Sequence, residues 1–213
     1  MKQLPLGISG RAEPQFSNYV PGPNAEALAA VRALAEGTCR ESIVYLWGET
    51  GSGRTHLLQA AARANPGLVV ADGVEALDAD AQQALFVAIN RARDGERGVL
   101  VSGDAPPARL ALRDDLRSRL GWGLVYQLQP LSDADKLAHL RAEGARRGLR
   151  LSEEVAGYLL TRLPRDLSTL NDMLDRLDRY ALARQRALTI PLVREALAEA
   201  DARARLPRQG EGA

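Results

Sequence analysis

The chain has 213 residues, 46% hydrophobic and 26% charged, with a formal net charge of +1. This size allows one ordinary domain with a small second one, and the near-zero charge argues against nucleic-acid binding through bulk electrostatics. A single cysteine, Cys39, excludes a disulfide framework. Because no apolar run is as long as a membrane span and the first residues lack the apolar centre of a signal peptide, we expect a cytoplasmic protein with no membrane partner.

The first eight residues precede any periodic pattern. Within them, Gln3-Leu4-Pro5-Leu6 can be interpreted as an extended peptide that docks into an apolar pocket of a partner, or as a frayed terminus. A turn-rich stretch with two aromatic residues follows at Phe16–Asn24. Its aromatic side chains either pack on the core or form one wall of a base pocket, and the residues themselves leave both alternatives open.

The stretch Gly48-Glu49-Thr50-Gly51-Ser52-Gly53-Arg54-Thr55 predicts a phosphate-binding loop. It follows an apolar strand pattern, Ile43–Trp47, and leads into a helical pattern that begins at His56. Glycines let the backbone curl so that several N–H groups point at one anion, and the helix N-terminus adds its partial positive charge. Thr55 stands at the position whose hydroxyl ligates Mg²⁺. Arg54 replaces the lysine of the motif, so we expect nucleotide binding with slow hydrolysis.

Two further strand patterns end in polar residues. Leu68–Ala71 is followed by Asp72, which is placed to hold Mg²⁺ through water. Gly73 occupies the position where an active hydrolase carries a second acid, and Glu75 is interpreted as a surface charge. The next strand, 98–102, leads to Asp104, which either senses the γ-phosphate or shapes the proline turn after it.

The second half of the core contains a further helical pattern. This predicted helix carries Leu112, Leu116 and Leu120 on one stripe, and Arg119 lies at the edge of that stripe, beside packed surface. Such an arginine is usually an ordinary solvated surface charge, and the residues alone give it no special role. The sequence Gly121-Trp122-Gly123 ends this helix, and a fourth strand follows at Leu124–Leu128. After Pro130 the strand patterns cease and four helices are predicted. The fold class is therefore α/β: a parallel sheet of four strands followed by a small all-helical domain.

Taken together, these motifs resemble the AAA+ ATPases. Within them, 16–24, 118–123 and 164–167 are similar to the DnaA replication-initiator branch. The stretches 45–47, 51–58 and 128–133 are similar to its Hda-type members, the DnaA-homologous regulatory inactivators. The resemblance implies a P-loop AAA+ core and a helical lid, with a clamp-binding peptide at 1–10, the core at 11–129, the lid at 130–201 and a disordered tail at 202–213. It also implies that the initiator's extra strand and helix are missing between Asn65 and Leu68, which leaves the Leu68–Ala71 strand at a sheet edge.

The resemblance assigns roles to single residues. Arg119 matches the arginine finger, a catalytic group supplied in trans, and Arg165 matches the second sensor. Gln3, Leu4 and Leu6 fall where this family carries its peptide for the sliding clamp. The expected magnesium ligands are Thr55 and Asp72. The expected nucleotide-binding residues, for ADP or ATP, are Tyr19, Val20, Gly48, Gly51, Ser52, Gly53, Arg54, Thr55, His56, Asp104 and Arg165.

The expected function is negative regulation of DNA replication initiation. Held on the clamp and bound to ADP, the chain would stimulate ATP hydrolysis on the DnaA initiator, and it would associate with the nucleoid through the clamp. It is expected to make no direct sequence-specific DNA contact, since no helix-turn-helix domain follows the lid, and a homo-oligomer is possible. The alternatives are a self-contained AAA+ ATPase, such as a helicase loader or remodelling subunit, and a nucleotide-free scaffold.

Overall fold

The structure is a computed structural model that describes residues 13–163, 166–184, 186 and 188–205. The described residues belong to two compact units, which divide between Leu131 and Ser132. Among them, no helix is both long and apolar enough to cross a membrane. The clamp-peptide residues Gln3, Leu4 and Leu6 and the second-sensor residue Arg165 lie outside the described residues.

The first unit is built on a sheet of four parallel strands. The strands are β1 (Ile43–Gly48), β2 (Val69–Ala71), β3 (Val99–Gly103) and β4 (Leu124–Leu128), in the order β2-β3-β1-β4. This confirms the predicted four-stranded parallel sheet, and β2 lies at an edge as expected. Because the strands are parallel, the segments that follow them leave from the same edge of the sheet.

Helices cover both faces of this sheet. They are α1 (Ala25–Glu36), α2 (Arg54–Ala64), α3 (Ala79–Arg93) and α4 (Asp114–Leu120). Alternate residues of β1 point to opposite faces, as the period of a strand requires. Val44 and Leu46 pack in the core formed with α1 and α2, whereas Ile43 and Tyr45 pack in the core formed with α3 and α4.

The predicted start of α4 is wrong. Leu112 is buried but lies before the helix, which begins at Asp114 because Arg113 adopts an extended conformation (φ −53°, ψ 139°). Asp114 and Asp115 occupy the first turn, where negative charge is favoured by the helix dipole. The Asp115 carboxylate also accepts a hydrogen bond from the Leu116 N–H at 2.7 Å. The pair of aspartates, rather than the leucine spacing, marks the true helix start.

The second unit consists of four helices. They are α5 (Asp133–Arg146), α6 (Glu153–Arg162), α7 (Leu167–Arg184) and α8 (Ile190–Arg205). Ser132 and Asp135 form a capping box at the start of α5. An apolar stripe of α7, with Leu170, Leu174 and Leu177, is buried in the core of this unit. Helix α8 continues to Arg205, into the range 202–213 expected to be disordered, because alanine and arginine are strong helix formers.

Candidate functional site: the phosphate loop and the Arg119 surface

The loop between β1 and α2 has the tight backbone that a phosphate loop needs. Gly51 and Gly53 have positive φ values of 84° and 98°, which glycine adopts without the strain that other residues suffer. A Cβ added at Gly48 would lie 2.3 Å from the carbonyl oxygen of Leu128, and one at Gly53 would lie 2.9 Å from the ring of Tyr19. Both positions therefore require glycine, and the open side of the loop is at Gly51, where an added Cβ meets nothing within 4 Å.

Two polar side chains of this loop lack partners within the described part of the chain. The hydroxyl of Ser52 is buried and makes no hydrogen bond, although buried polar groups in proteins are nearly always bonded. The guanidinium of Arg54, the first residue of α2, is half-buried and forms no hydrogen bond or ion pair there. A phosphate bound to the loop would supply an acceptor to both groups. The residues present thus fit a nucleotide phosphate.

Thr55 and Asp72 are brought together as the sequence predicts. The Thr55 hydroxyl donates to one carboxylate oxygen of Asp72 at 2.7 Å, and the hydroxyl of Ser102 donates to the other. Ser102 in turn accepts a hydrogen bond from the Gly73 N–H at 3.1 Å. Hydroxyl and carboxylate oxygens are the ligands that Mg²⁺ prefers, with phosphate and water completing its shell. Across the described ranges no group of three or more His, Cys, Asp or Glu side chains could hold a metal without such help.

The position after Asp72 carries no acid, and Glu75 takes a different role. Gly73 has a positive φ of 69°. Glu75 is an exposed surface charge, as expected. Its carboxylate also accepts a hydrogen bond from the backbone N–H of Asp104 at 3.3 Å, which links the segments after β2 and β3. The Asp104 carboxylate is exposed and makes no hydrogen bond among the described residues, which leaves both interpretations of this residue open.

Tyr45 contacts the end of β3 and the turn that follows it. Its hydroxyl donates to the carbonyl oxygen of Ala105 at 2.7 Å, and its ring leaves no room for a Cβ at Gly103. Burial, followed by the nearby carboxylates of Glu75 and Asp104, raises the pKa of Tyr45, so the phenol stays a proton donor. The turn after β3 is therefore anchored at its first two residues, Asp104 and Ala105.

Tyr19, one of the two aromatic residues of the 16–24 stretch, lies on the phosphate loop. Tyr19 packs against Gly53 and lies 5.4 Å, centroid to centroid, from the imidazole of His56. The His56 Nε2 is 3.0 Å from the Gln15 carbonyl oxygen, to which it donates. Burial raises the pKa of Tyr19 to about 12. Val20 beside it is half-buried. This stretch therefore covers the start of α2 and brings together Tyr19 and His56, two of the predicted nucleotide-binding residues.

Arg119 is held on the surface between α3 and α4. Its Nε donates to the side-chain oxygen of Asn90 at 2.8 Å, and its Nη1 donates to the carbonyl oxygen of Asp115 at 3.1 Å. Its Cζ lies 4.0 Å from the ring centroid of Phe86 and 4.9 Å from that of Trp122. The guanidinium is half-buried and its direction is fixed by these contacts.

The turn that follows Arg119 lies at the other end of the sheet from the phosphate loop. This turn packs on the start of β1, since a Cβ on Gly123 would come 2.1 Å from the carbonyl oxygen of Ile43. The phosphate loop leaves β1 at its carboxyl end, Gly48. The residues between Ile43 and Gly48 span about 16 Å. The turn that follows Arg119 is therefore separated from the phosphate loop of the same chain by about the length of β1.

Several contributors were missed by sequence reasoning. Ser102 is a hydroxyl in an otherwise apolar buried strand, and that contrast could have revealed it. Phe86 and Asn90 stand four residues apart on α3, a spacing that places them on one face, but nothing in the sequence pairs this face with Arg119. Tyr45 and Glu75 could not have been found, because their partners are backbone groups of a distant turn.

Comparison with known proteins agrees with this architecture. Residues 133–197 match the family model "Hda, lid domain", and residues 11–68 match the bacterial DnaA ATPase domain. Domain III of the Thermotoga maritima replication initiation protein DnaA superimposes with a TM-score of 0.70 at 22% identity, covering 88% of this chain and 97% of that one.

Two further solved structures share the fold. AMPPCP-bound DnaA from Aquifex aeolicus gives a TM-score of 0.67 at 19% identity, covering 89% of this chain and 70% of that one. The Holliday junction branch migration motor RuvB from Thermotoga maritima gives 0.64 at 14% identity, covering 89% and 72%. The fold is thus that of AAA+ proteins. With its DnaA-type ATPase domain and Hda-type lid, the chain is an Hda-like, DnaA-homologous AAA+ protein.

Proposed function

We propose that this DnaA-related chain regulates replication initiation by stimulating ATP hydrolysis on the DnaA initiator. The observation that carries the proposal is the placement of Arg119, which is fixed by Asn90 and two aromatic rings at the end of the sheet remote from its own phosphate loop. An arginine finger acts on a phosphoryl group bound by a neighbouring subunit. Such a finger must reach a subunit surface and be preorganised. Arg119 is half-buried at the surface and is held by these contacts, which supports both conditions.

The phosphate loop is proposed to hold nucleotide and to hydrolyse it slowly or not at all. Ser52, Arg54 and the loop N–H groups would hold the phosphates, and Thr55 and Asp72 would hold Mg²⁺. Bound magnesium would supply charge neutralisation between the phosphates and the carboxylate. Gly73 leaves no acid to orient an attacking water, which supports slow hydrolysis of the bound nucleotide, ADP or ATP. The AMPPCP-bound DnaA structures share this fold and support nucleotide binding here.

The partner that brings this chain to DNA is proposed to be the sliding clamp. The support is the sequence of the N-terminal peptide, in which Gln3, Leu4 and Leu6 match the clamp-binding pattern. A pull-down with purified clamp tests it. The parent chain is expected to be retained, and a variant with Gln3→Ala and Leu6→Ala is expected to be lost. Equal retention of the two would contradict clamp docking through this peptide.

A reconstituted hydrolysis assay tests the function as a whole. The initiator is loaded with labelled ATP, and the chain, clamp and DNA are added together or one at a time. The proposal predicts rapid conversion of initiator-bound ATP to ADP only in the complete mixture. No acceleration would contradict it. Turnover of free ATP by the chain alone at several per second would favour a self-contained ATPase, for which the intact Thr55–Asp72 pair is the supporting observation.

A further inference from the structure

The surface around Arg119 is a chain of alternating arginine and aromatic side chains. Arg113 lies 5.7 Å from the Phe86 ring centroid, and Arg119 lies 4.0 Å from the same ring. Arg119 also contacts Trp122 at 4.9 Å, and Trp122 is contacted by Arg93 at 4.6 Å. All four distances are within the range of cation–π attraction. Arg119 occupies the middle of this chain, where it contacts both rings.

Trp122 is unusual within this chain of contacts because it is large, apolar and 41% exposed. A large aromatic is normally buried, so a well-exposed one that is not needed for packing points to a surface role. Its neighbour Arg93 is exposed, and within the described ranges its one recorded interaction is with the indole ring. The tryptophan therefore links two cations, of which only Arg119 has polar partners.

The hydrogen bonds of Arg119 leave part of its guanidinium free. Of its five N–H donors, one on Nε and one on Nη1 are used by Asn90 and Asp115. The remaining donors can reach a phosphate only if the planar group is kept at a fixed tilt. Hydrogen bonds along one edge of the guanidinium still allow the group to rotate about that edge. An aromatic ring against its face restrains this rotation because the ring attracts the cation.

We propose that Trp122 is a positioning residue for Arg119: its indole holds the guanidinium at the tilt in which the free donors point out of the surface. The inference rests on the proposed function, since the target of those donors is the phosphate of the partner. Arg93 contacts the same indole and stabilises it in its exposed position. Loss of the indole is expected to reduce the rate with bound partner, while binding of the partner changes little.

The contact itself can be tested without the initiator. Trp47 and Trp122 are the two tryptophans of the chain, so Trp47→Phe leaves the emission of Trp122 alone. In that background, Arg119→Ala and Arg93→Ala are each expected to change the emission of Trp122. Arg117→Ala removes an arginine of the same helix that pairs with Asp114 instead, and it is expected to leave the emission unchanged. If the emission of Trp122 changed in neither Arg119→Ala nor Arg93→Ala, the inference would be overturned.

The positioning role is tested by stimulated hydrolysis of initiator-bound ATP at varied concentrations of this chain. Trp122→Ala is expected to lower the maximal rate about two- to fivefold, the range that a surface cation–π contact supports, with the half-saturating concentration unchanged. Trp122→Phe is expected to restore most of the rate, and Val125→Ala, a similarly exposed apolar residue on β4, is expected to match the parent.

The outcomes distinguish failure of the positioning role of Trp122 from failure of the proposed function. If Trp122→Ala matches the parent, or raises only the half-saturating concentration, Trp122 does not position Arg119 and the proposed function stands. If the parent chain itself gives no stimulation while Trp122 emission still responds to Arg119→Ala, the proposed function fails, and the positioning role in hydrolysis fails with it.

Discussion

The side-chain oxygen of Asn90 accepts a hydrogen bond from Nε of Arg119 at 2.8 Å, across the contact between α3 and α4. A hydrogen bond to a charged donor is worth about 1.5–3 kcal/mol when it is not exposed to water. Here it fixes the direction of the side chain that is proposed to act on the partner's phosphate. Asn90 thus contributes to the site although it has no place in any of the sequence motifs.

Asn90→Ala is therefore expected to lower stimulated hydrolysis of initiator-bound ATP by about tenfold, since about 1.4 kcal/mol of orientation would be lost. The matched control is Gln83→Ala on the same helix, which removes an amide that bonds Arg113 instead, at 2.6 Å. This control should keep nearly the full rate. A rate for Asn90→Ala equal to that of Gln83→Ala would show that Arg119 needs no such support.

Arg54→Ala is expected to weaken ADP binding by about tenfold, because a charge-assisted hydrogen bond to phosphate would be lost. Arg54→Lys retains a positive charge and should lose much less. Titration calorimetry with ADP and Mg²⁺ measures both. Arg63→Ala, on the same helix but paired with Glu13, serves as the control. If Arg54→Ala bound ADP as tightly as the parent, the guanidinium would have no role in holding phosphate.

Two glycines allow the stability cost of backbone strain to be measured apart from the cost of a steric clash. Gly53 and Gly95 both have positive φ, 98° and 89°, but an added Cβ meets the Tyr19 ring at 2.9 Å only at Gly53. Gly95→Ala is expected to cost about 1–2 kcal/mol in the free energy of unfolding. Gly53→Ala should cost at least 1 kcal/mol more, since Tyr19 must move, and it should also weaken ADP binding. If urea titration gave the same free energy of unfolding for the two variants, the Tyr19 ring would move aside at no cost in stability.

A pH-dependent prediction concerns Glu143 in the second unit. The hydrogen bond from Arg146, and then that from Arg147, lowers the pKa of Glu143 to about 2. A lowered pKa stabilises the folded state above the ordinary pKa near 4.5, and this stabilisation is lost as the pH falls from about 4.5 to 2. After allowance for solvent screening, this stabilisation of the folded state amounts to about 1 kcal/mol.

Glu143→Gln should consequently lower the melting temperature at pH 6 and make little difference at pH 2. Circular dichroism at the two pH values measures this. Glu154→Gln changes an exposed carboxylate at the start of α6 and is expected to behave like the parent at both. A deficit of Glu143→Gln that persists at pH 2 would mean that packing, and not charge, is responsible.

Most of the fold could be predicted because its elements are marked locally. Short apolar runs bounded by turn residues mark the strands, and Gly37, Ser132 and Ser152 cap helices through contacts whose geometry is local. The phosphate loop and its Thr55–Asp72 pair followed from the rule that parallel strands end at one edge. The start of α4 was misplaced because the spacing of Leu112 is compatible with both a helix and a turn.

The surroundings of Arg119 could not be predicted. Its partners Phe86 and Asn90 are about 30 residues away along the chain, and only the packing of α3 on α4 brings them together. The hydrogen bond of the exposed Glu75 could not be predicted for the same reason: its partner is the backbone N–H of Asp104 after another strand, and residue type does not reveal a backbone donor. Local patterns thus identified the arginine, and tertiary packing decides how it is oriented.

The most direct test of the account is hydrolysis of initiator-bound ATP by the parent chain and by Arg119→Ala, with clamp and DNA present. Arg117→Ala on the same helix is the control. The account predicts that Arg119→Ala loses about a thousandfold or more of the stimulation, the range that arginine fingers supply, while it binds ADP and clamp like the parent. Arg117→Ala is expected to remain active. Stimulation by Arg119→Ala equal to that of the parent would contradict the central claim.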